Sequence, residues 1–190
     1  MLSSQTDNEW NDCQNREEGM RFWRDTFHEF DKHWNHSLGV QRHPTEPENF
    51  FFVHKRTLYF GLTILHGNDL ENKFNFIEEN MDKHVLAGDA VNVVIFGHAF
   101  PQEHHSRFFD PLREYIRTTL QNKVPVLYVN GDFHFYESER KYMGLSNFNR
   151  LQVAQGTREP PLMVAVEASS NPSWSANEAF SHDRMLWLSL

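Results

Sequence analysis

At 190 residues, with 39% hydrophobic and 14% aromatic side chains, the chain carries enough apolar material for one domain with a sizeable core, which excludes whole-chain disorder. A formal net charge of −8, from 26 Asp+Glu against 18 Lys+Arg with 12 His neutral, and the lack of any Lys/Arg-rich run exclude a surface built to follow nucleic-acid phosphates. The single cysteine, Cys13, excludes an internal disulfide framework or a cysteine-based zinc finger, and no stretch approaches the roughly 18 consecutive apolar residues of a membrane helix.

In chain order, Met20, Trp23, Phe27, Phe30 and Trp34 recur at three- and four-residue steps and predict a helix over 17–34 with its aromatic stripe in the core. Pro44 and Pro47 then enforce a loop over 39–47. Residues 50–54 and 57–65 read as two strands, and the polar pair Lys55-Arg56 between them predicts a hairpin. Helical spacing returns over 70–86, with Asp69 as its cap.

Residues 91–97 (VNVVIFG) are almost continuously apolar, the pattern of a strand covered on both faces. A helix over 106–121 follows, with Phe109, Leu112, Ile116 and Leu120 turned inward, and 124–130 (VPVLYVN) reads as a second buried strand. That order is a βαβ unit, so these two strands are expected to be parallel. The stretches 148–153 and 162–167 fit two antiparallel strands joined by a turn, and 169–190 has no assigned structure.

Ligands in open α/β sheets bind beyond the carboxyl ends of the strands, which directs attention to Gly97-His98 and to Gly131-Asp132-Phe133-His134. Each segment has a glycine that permits a sharp turn, followed by residues of the metal-ligating kind. Imidazole and carboxylate from neighbouring strand ends can converge on one divalent ion. The competing reading is that each His is a hydrogen-bonded loop residue. His104-His105 reads as an exposed helix entry near His98, His66-Gly67-Asn68 follows a strand, and Cys13 reads as a small buried residue.

Four segments, TDNEWNDC from Thr6, VVIFGHAFP from Val93, VPVLYVNGDFHFYE from Val124 and FNRLQVAQG from Phe148, together resemble the calcineurin-like metallophosphoesterases, in a subgroup with a Gly-Asp-Asn-Glu-Trp type signature. The resemblance implies a four-layer αββα sandwich with a two-metal site at the strand ends and divalent Mn, Fe or Zn, one ion or two. It also implies roles. Asp7, His98, Asp132 and His134 fall at metal-binding positions, with Asp132 where the family has a His. Asn8 falls where the family has a His that protonates the leaving group, and Glu9 closes the same motif.

Two features depart from the pattern: Thr6 stands at the signature's glycine, and the family's earlier Asp-x-His and Gly-Asp-x-x-Asp/Asn motifs have no counterpart. The expectation is therefore an N-terminally truncated α/β domain over 1–190, with 168–190 as a tail, lacking the strands that precede the signature and exposing an edge beside its first buried strands. From Met1 as a true start, the polar residues to Asp12 make no signal peptide. Asp31-Lys32-His33, Asp82-Lys83-His84 and Gly88-Asp89-Ala90-Val91-Asn92 imitate the missing motifs but read as solvated surface or cap residues. The function expected is metal-dependent hydrolysis of a phosphorylated small molecule or ester, with no nucleic-acid partner and no membrane segment. The alternative is an inactive member serving as a binding or scaffold module.

Overall fold

The computed structural model describes residues 13–65, 69–121, 123–155, 159, 162–168 and 180–184. Its first helix, α1 (Arg16–Phe27), opens at Asn15, whose side chain accepts from the Glu18 amide. Met20 and Trp23 are buried, but the stripe does not continue to Trp34. His28 is extended, Glu29 is left-handed (φ 62°), and a 3-10 turn, Phe30–His33, follows. That turn buries Asp31 in an ion pair with Arg42. Asp31 is therefore an interior carboxylate and not a solvated one, while Phe27 and Trp34 are 41% and 49% exposed and both pack edge-on against Phe30.

Strand β1 (Gln41–Arg42) lies within the proline loop and pairs antiparallel with β2 (Phe50–His54). The expected hairpin joins β2 to β3 (Thr57–Leu62), with Lys55 and Arg56 both at positive φ (46° and 61°), the primed turn that matches strand twist. Asp69 caps α2 (Leu70–Met81) by accepting from the Asn72 amide, and a π-helical turn, Asp82–Leu86, completes the expected helical stretch. Strand β4 (Asn92–Gly97) pairs parallel with β3, and α3 (Ser106–Thr118) leads to β5 (Val126–Asn130), parallel to β4. The βαβ reading is thus confirmed.

Beyond β5 the expectation fails in one respect. Strand β7 (Phe148–Gln152) is buried along its whole length and runs parallel to β5, with β6 (Glu137–Glu139) antiparallel on its other side. It does not pair with β8 (Leu162–Val166), which pairs with β9 (Phe180–Arg184) in a separate two-stranded sheet. A strand covered on both faces belongs inside a sheet, and β7 takes that place.

Among the described residues the main sheet has seven strands in the order β1-β2-β3-β4-β5-β7-β6. Since β4 lies between β3 and β5, it has no exposed edge, and among the described residues both edges of this sheet are the short strands β1 and β6. Helices α2 and α3 cover one face through Phe74, Ile77, Phe108, Phe109, Leu112 and Ile116. On the other face Leu162, Val164, Val166 and Phe180 pack on Val94, Leu127 and Leu151. Met163 and Ala165 on β8 are exposed, so the described residues stack as helices, large sheet and small sheet. Among them, no helix is long and apolar enough to cross a membrane.

Candidate functional site

The parallel register of β4 and β5, with Phe96 beside Val129, sets His98 and Gly131-Asp132 on one rim. The amides of Gly131 and Asp132 both reach the His98 carbonyl, at 3.3 and 3.2 Å, carrying the pairing past the strand ends. Asp132 Oδ2 then accepts from the Phe100 amide at 3.0 Å. His134 sits in a tight turn, its amide donating to the Gly131 carbonyl at 3.2 Å and its own φ at 61°. The sharp backbone feature is at His134, because neither Gly97 nor Gly131 has positive φ. Gly97 is needed for space: a Cβ there would stand 2.8 Å from the Tyr128 hydroxyl.

The sequence-derived residues His98, Asp132 and His134 therefore share a rim. His98 and Asp132 are half-buried and linked through backbone hydrogen bonds, while His134 is exposed. Asp7 and Asn8, with Thr6 and Glu9, lie outside the described residues, as does His66-Gly67-Asn68. Among the described residues no group of three or more His, Cys, Asp or Glu side chains is placed to hold a metal ion. With one Asp132 oxygen engaged by Phe100, these residues do not by themselves fit a complete metal centre.

The neighbours differ from expectation. His105 is buried and not an exposed helix entry; its Nδ1 donates to the Phe100 carbonyl at 2.9 Å, which fixes the tautomer. Of the motif imitations, Asp82 is exposed and accepts from the Tyr115 hydroxyl at 2.5 Å, and His84 Nδ1 lies 3.5 Å from Asp89. Cys13 is half-buried. Phe133 and Phe135, flanking His134, are half-exposed with rings parallel to within 7°.

Beneath the rim is a polar network that sequence reasoning missed. Arg150, on β7, is 1% exposed and forms ion pairs with Glu137 and Glu139 of β6. Its Nη1 donates to Asn130 Oδ1 at 3.1 Å and Gln152 Oε1 at 3.2 Å. The Phe100 ring lies 4.5 Å from the guanidinium carbon. Removing a guanidinium from water costs several kcal/mol unless its donors are met, which these partners do. The signal in the sequence was an Arg in the middle of the FNRLQV strand, with Glu137 and Glu139 at strand spacing nearby.

Two phenols, one buried and one half-buried, adjoin this network. Burial holds the Tyr128 hydroxyl, which donates to the Ala99 carbonyl at 2.6 Å, well above the usual range for a phenol. Burial also pushes Tyr142 up to about 12, against the opposing influence of Arg150.

A mixed sheet with helices on one face and a second small sheet on the other defines a layered α/β fold, with ligand-type residues at the carboxyl rim of its parallel strands. The chain aligns with a crystal structure of a 5'-nucleotidase from Candida albicans SC5314 at a TM-score of 0.56 and 15% identity, over 95% of this chain and 35% of that one. At that identity the likeness shows the fold, and this chain spans about a third of the nucleotidase's length. No protein-family profile matches the chain, and no curated protein sequence does.

Proposed function

We propose that this chain serves metal-dependent phosphoester hydrolysis of the calcineurin-like kind, with the β4–β5 rim as its site and a phosphorylated small molecule as substrate. The observation that carries the reading is the placement of His98 and Asp132 side by side at the carboxyl ends of parallel β4 and β5, where the four resembling segments require them. The nucleotidase-like fold agrees with it. The four-layer αββα arrangement and a site of one or two divalent ions held by Asp7, His98, Asp132 and His134 belong to the same proposal. Asn8 orients the phosphate; because an amide cannot supply a proton as an acid, leaving groups that depart without protonation are favoured.

The described residues do not by themselves make a complete metal centre. Their own contribution is positional: Asp132 fastens one rim loop to the other, and His98 and His134 lie on the same rim of the sheet. A second reading is favoured by the absence of a three-ligand group among the described residues. In it the chain binds phosphorylated ligands without turning them over.

The test is hydrolysis of an activated aryl phosphate by the purified chain with manganese. Turnover that Asp132→Ala abolishes supports the hydrolase. Binding of inorganic phosphate without turnover supports the binding module and removes the hydrolase.

A further inference from the structure

We propose that Arg150 is the positioning residue of this rim: from its buried place on β7 it fixes both ends of the 131–136 loop and, through Phe100, the carboxylate of Asp132. The proposal rests on reading the rim as the reactive one.

The hydrogen bonds of the guanidinium lead one after another to that loop. Asn130, which accepts from Nη1, is the last residue of β5 and immediately precedes Gly131. Gln152, the other acceptor of Nη1, donates through Nε2 to the Phe135 carbonyl at 3.1 Å. Glu137, paired with Nη2, begins β6 directly after the loop. The loop carrying Asp132 and His134 thus leaves and rejoins regular structure at points held by one cation.

The second link passes through Phe100. Its ring covers Arg150, its amide donates to Asp132 Oδ2, and its carbonyl accepts from buried His105. The position of the loop after β4 relative to the loop after β5 therefore depends on where the guanidinium plane lies.

Stability alone is a poor reason for this arrangement, because a buried ion pair is commonly matched or bettered by apolar residues of the same volume. What an apolar residue cannot do is direct several hydrogen bonds along fixed lines to three strands at once. A planar, permanently charged fork does this, and a lysine ammonium does not.

The experiment is amide hydrogen exchange on the wild-type chain, Arg150→Lys and Glu139→Gln, with Arg117→Gln as a control for loss of an exposed ion pair with Glu114. The amides of Gly131, Asp132 and His134 report on the loop, and those of Val93 and Val126 report on the sheet. Arg150→Lys is expected to speed loop exchange at least about tenfold more than sheet exchange, the scale of losing one well-made hydrogen bond. Glu139→Gln, at a half-exposed position that tolerates folding, shifts the same amides in the same direction by less. Arg117→Gln leaves the ratio unchanged.

In the aryl phosphate assay, Arg150→Lys lowers kcat with KM nearly unchanged. Loop and sheet amides accelerating together, or neither accelerating, would overturn the role, since that is what a merely structural residue or an inert one gives. Should Arg150→Lys fail to fold, Glu139→Gln alone decides by the same ratio. A wild-type chain without turnover refutes the hydrolase reading, and the exchange ratio still decides the role of Arg150.

Discussion

The amide of Phe100 donates to Asp132 Oδ2 at 3.0 Å, so one carboxylate oxygen fastens the loop after β4 to the loop after β5. Asp132→Ala removes that acceptor, and a hydrogen bond to a charged group contributes about 1.5–3 kcal/mol. Because Asp132 is half-buried, the loss belongs at the lower end, about 1.5 kcal/mol, or roughly 3–6 °C in Tm for a chain of this size. Asp132→Asn keeps an acceptor and is expected to retain most of the stability while losing hydrolysis. Thermal unfolding of both variants checks this. Equal losses would mean that charge and not the acceptor holds the loops together.

Gly97 is required by the approach of Tyr128 and not by backbone conformation. A Cβ at this position would lie 2.8 Å from the Tyr128 hydroxyl and 3.1 Å from both Ile64 Cδ1 and Tyr128 Cε2. Tyr128 is wholly buried and its hydroxyl is bonded to Ala99, so it has little room to withdraw. Gly97→Ala is expected to cost about 1–3 kcal/mol, as overpacked cores do. Gly97→Ala combined with Tyr128→Phe removes the nearest clash and recovers part of the loss. Urea unfolding of the single and double variants measures it, and an unaltered midpoint for the single variant contradicts the packing account.

The elements with local signals were legible in the sequence. The Lys55-Arg56 hairpin, the Asp69 cap and the βαβ unit through α3 each follow from periodicity and turn chemistry carried by the segments themselves. The rim positions of His98, Asp132 and His134 followed from that unit. What was not legible depends on partners distant in the chain. Glu137–Glu139 has no strand propensity, and its strand exists because β7 offers an edge and Arg150 needs counter-charges. The pairing of β8 with β9 joins residues 162–166 to 180–184, a segment whose sequence carries no alternating apolar pattern. The helix over 17–34 was broken by the burial of Asp31 against Arg42, an ion pair that hydrophobic periodicity cannot encode.

Lys73 is 1% exposed on α2, with Nζ at 3.0 and 3.1 Å from the two oxygens of Glu46, which also accepts from Asn49. This pair holds the 43–49 loop to α2. Lys73→Met leaves Glu46 without its cation, and stranding one partner of a buried pair costs about 3–5 kcal/mol. Glu46 retains some access to water, so the lower figure applies. Adding Glu46→Leu removes the stranded charge and is expected to restore most of the stability. Chemical denaturation of the three forms checks this; a double variant as unstable as Lys73→Met would show that the packing of the lysine stem, not the charge, is what matters.

Alkaline stability follows from phenols whose hydroxyls are wholly or partly withdrawn from water. Burial raises Tyr142 from an ordinary 10.0 to about 12, and it raises Tyr115, reinforced by the Asp82 hydrogen bond, and Tyr128 as well. Each phenol holds its proton more tightly in the folded chain than in the unfolded one, so between the two pKa values the folded state binds more protons. Stability is then fully present below pH 10 and falls as pH rises beyond it. Tyr142→Phe takes one of these groups out of the titration and is expected to make the decline between pH 10 and 12 shallower, while stability at pH 8 changes little because the half-buried hydroxyl has access to water. Urea unfolding midpoints at pH 8, 9, 10 and 11 measure the slope. A Tyr142→Phe slope equal to that of the unaltered chain would show that Tyr142 titrates alike folded and unfolded, leaving the alkaline loss to Tyr115 and Tyr128.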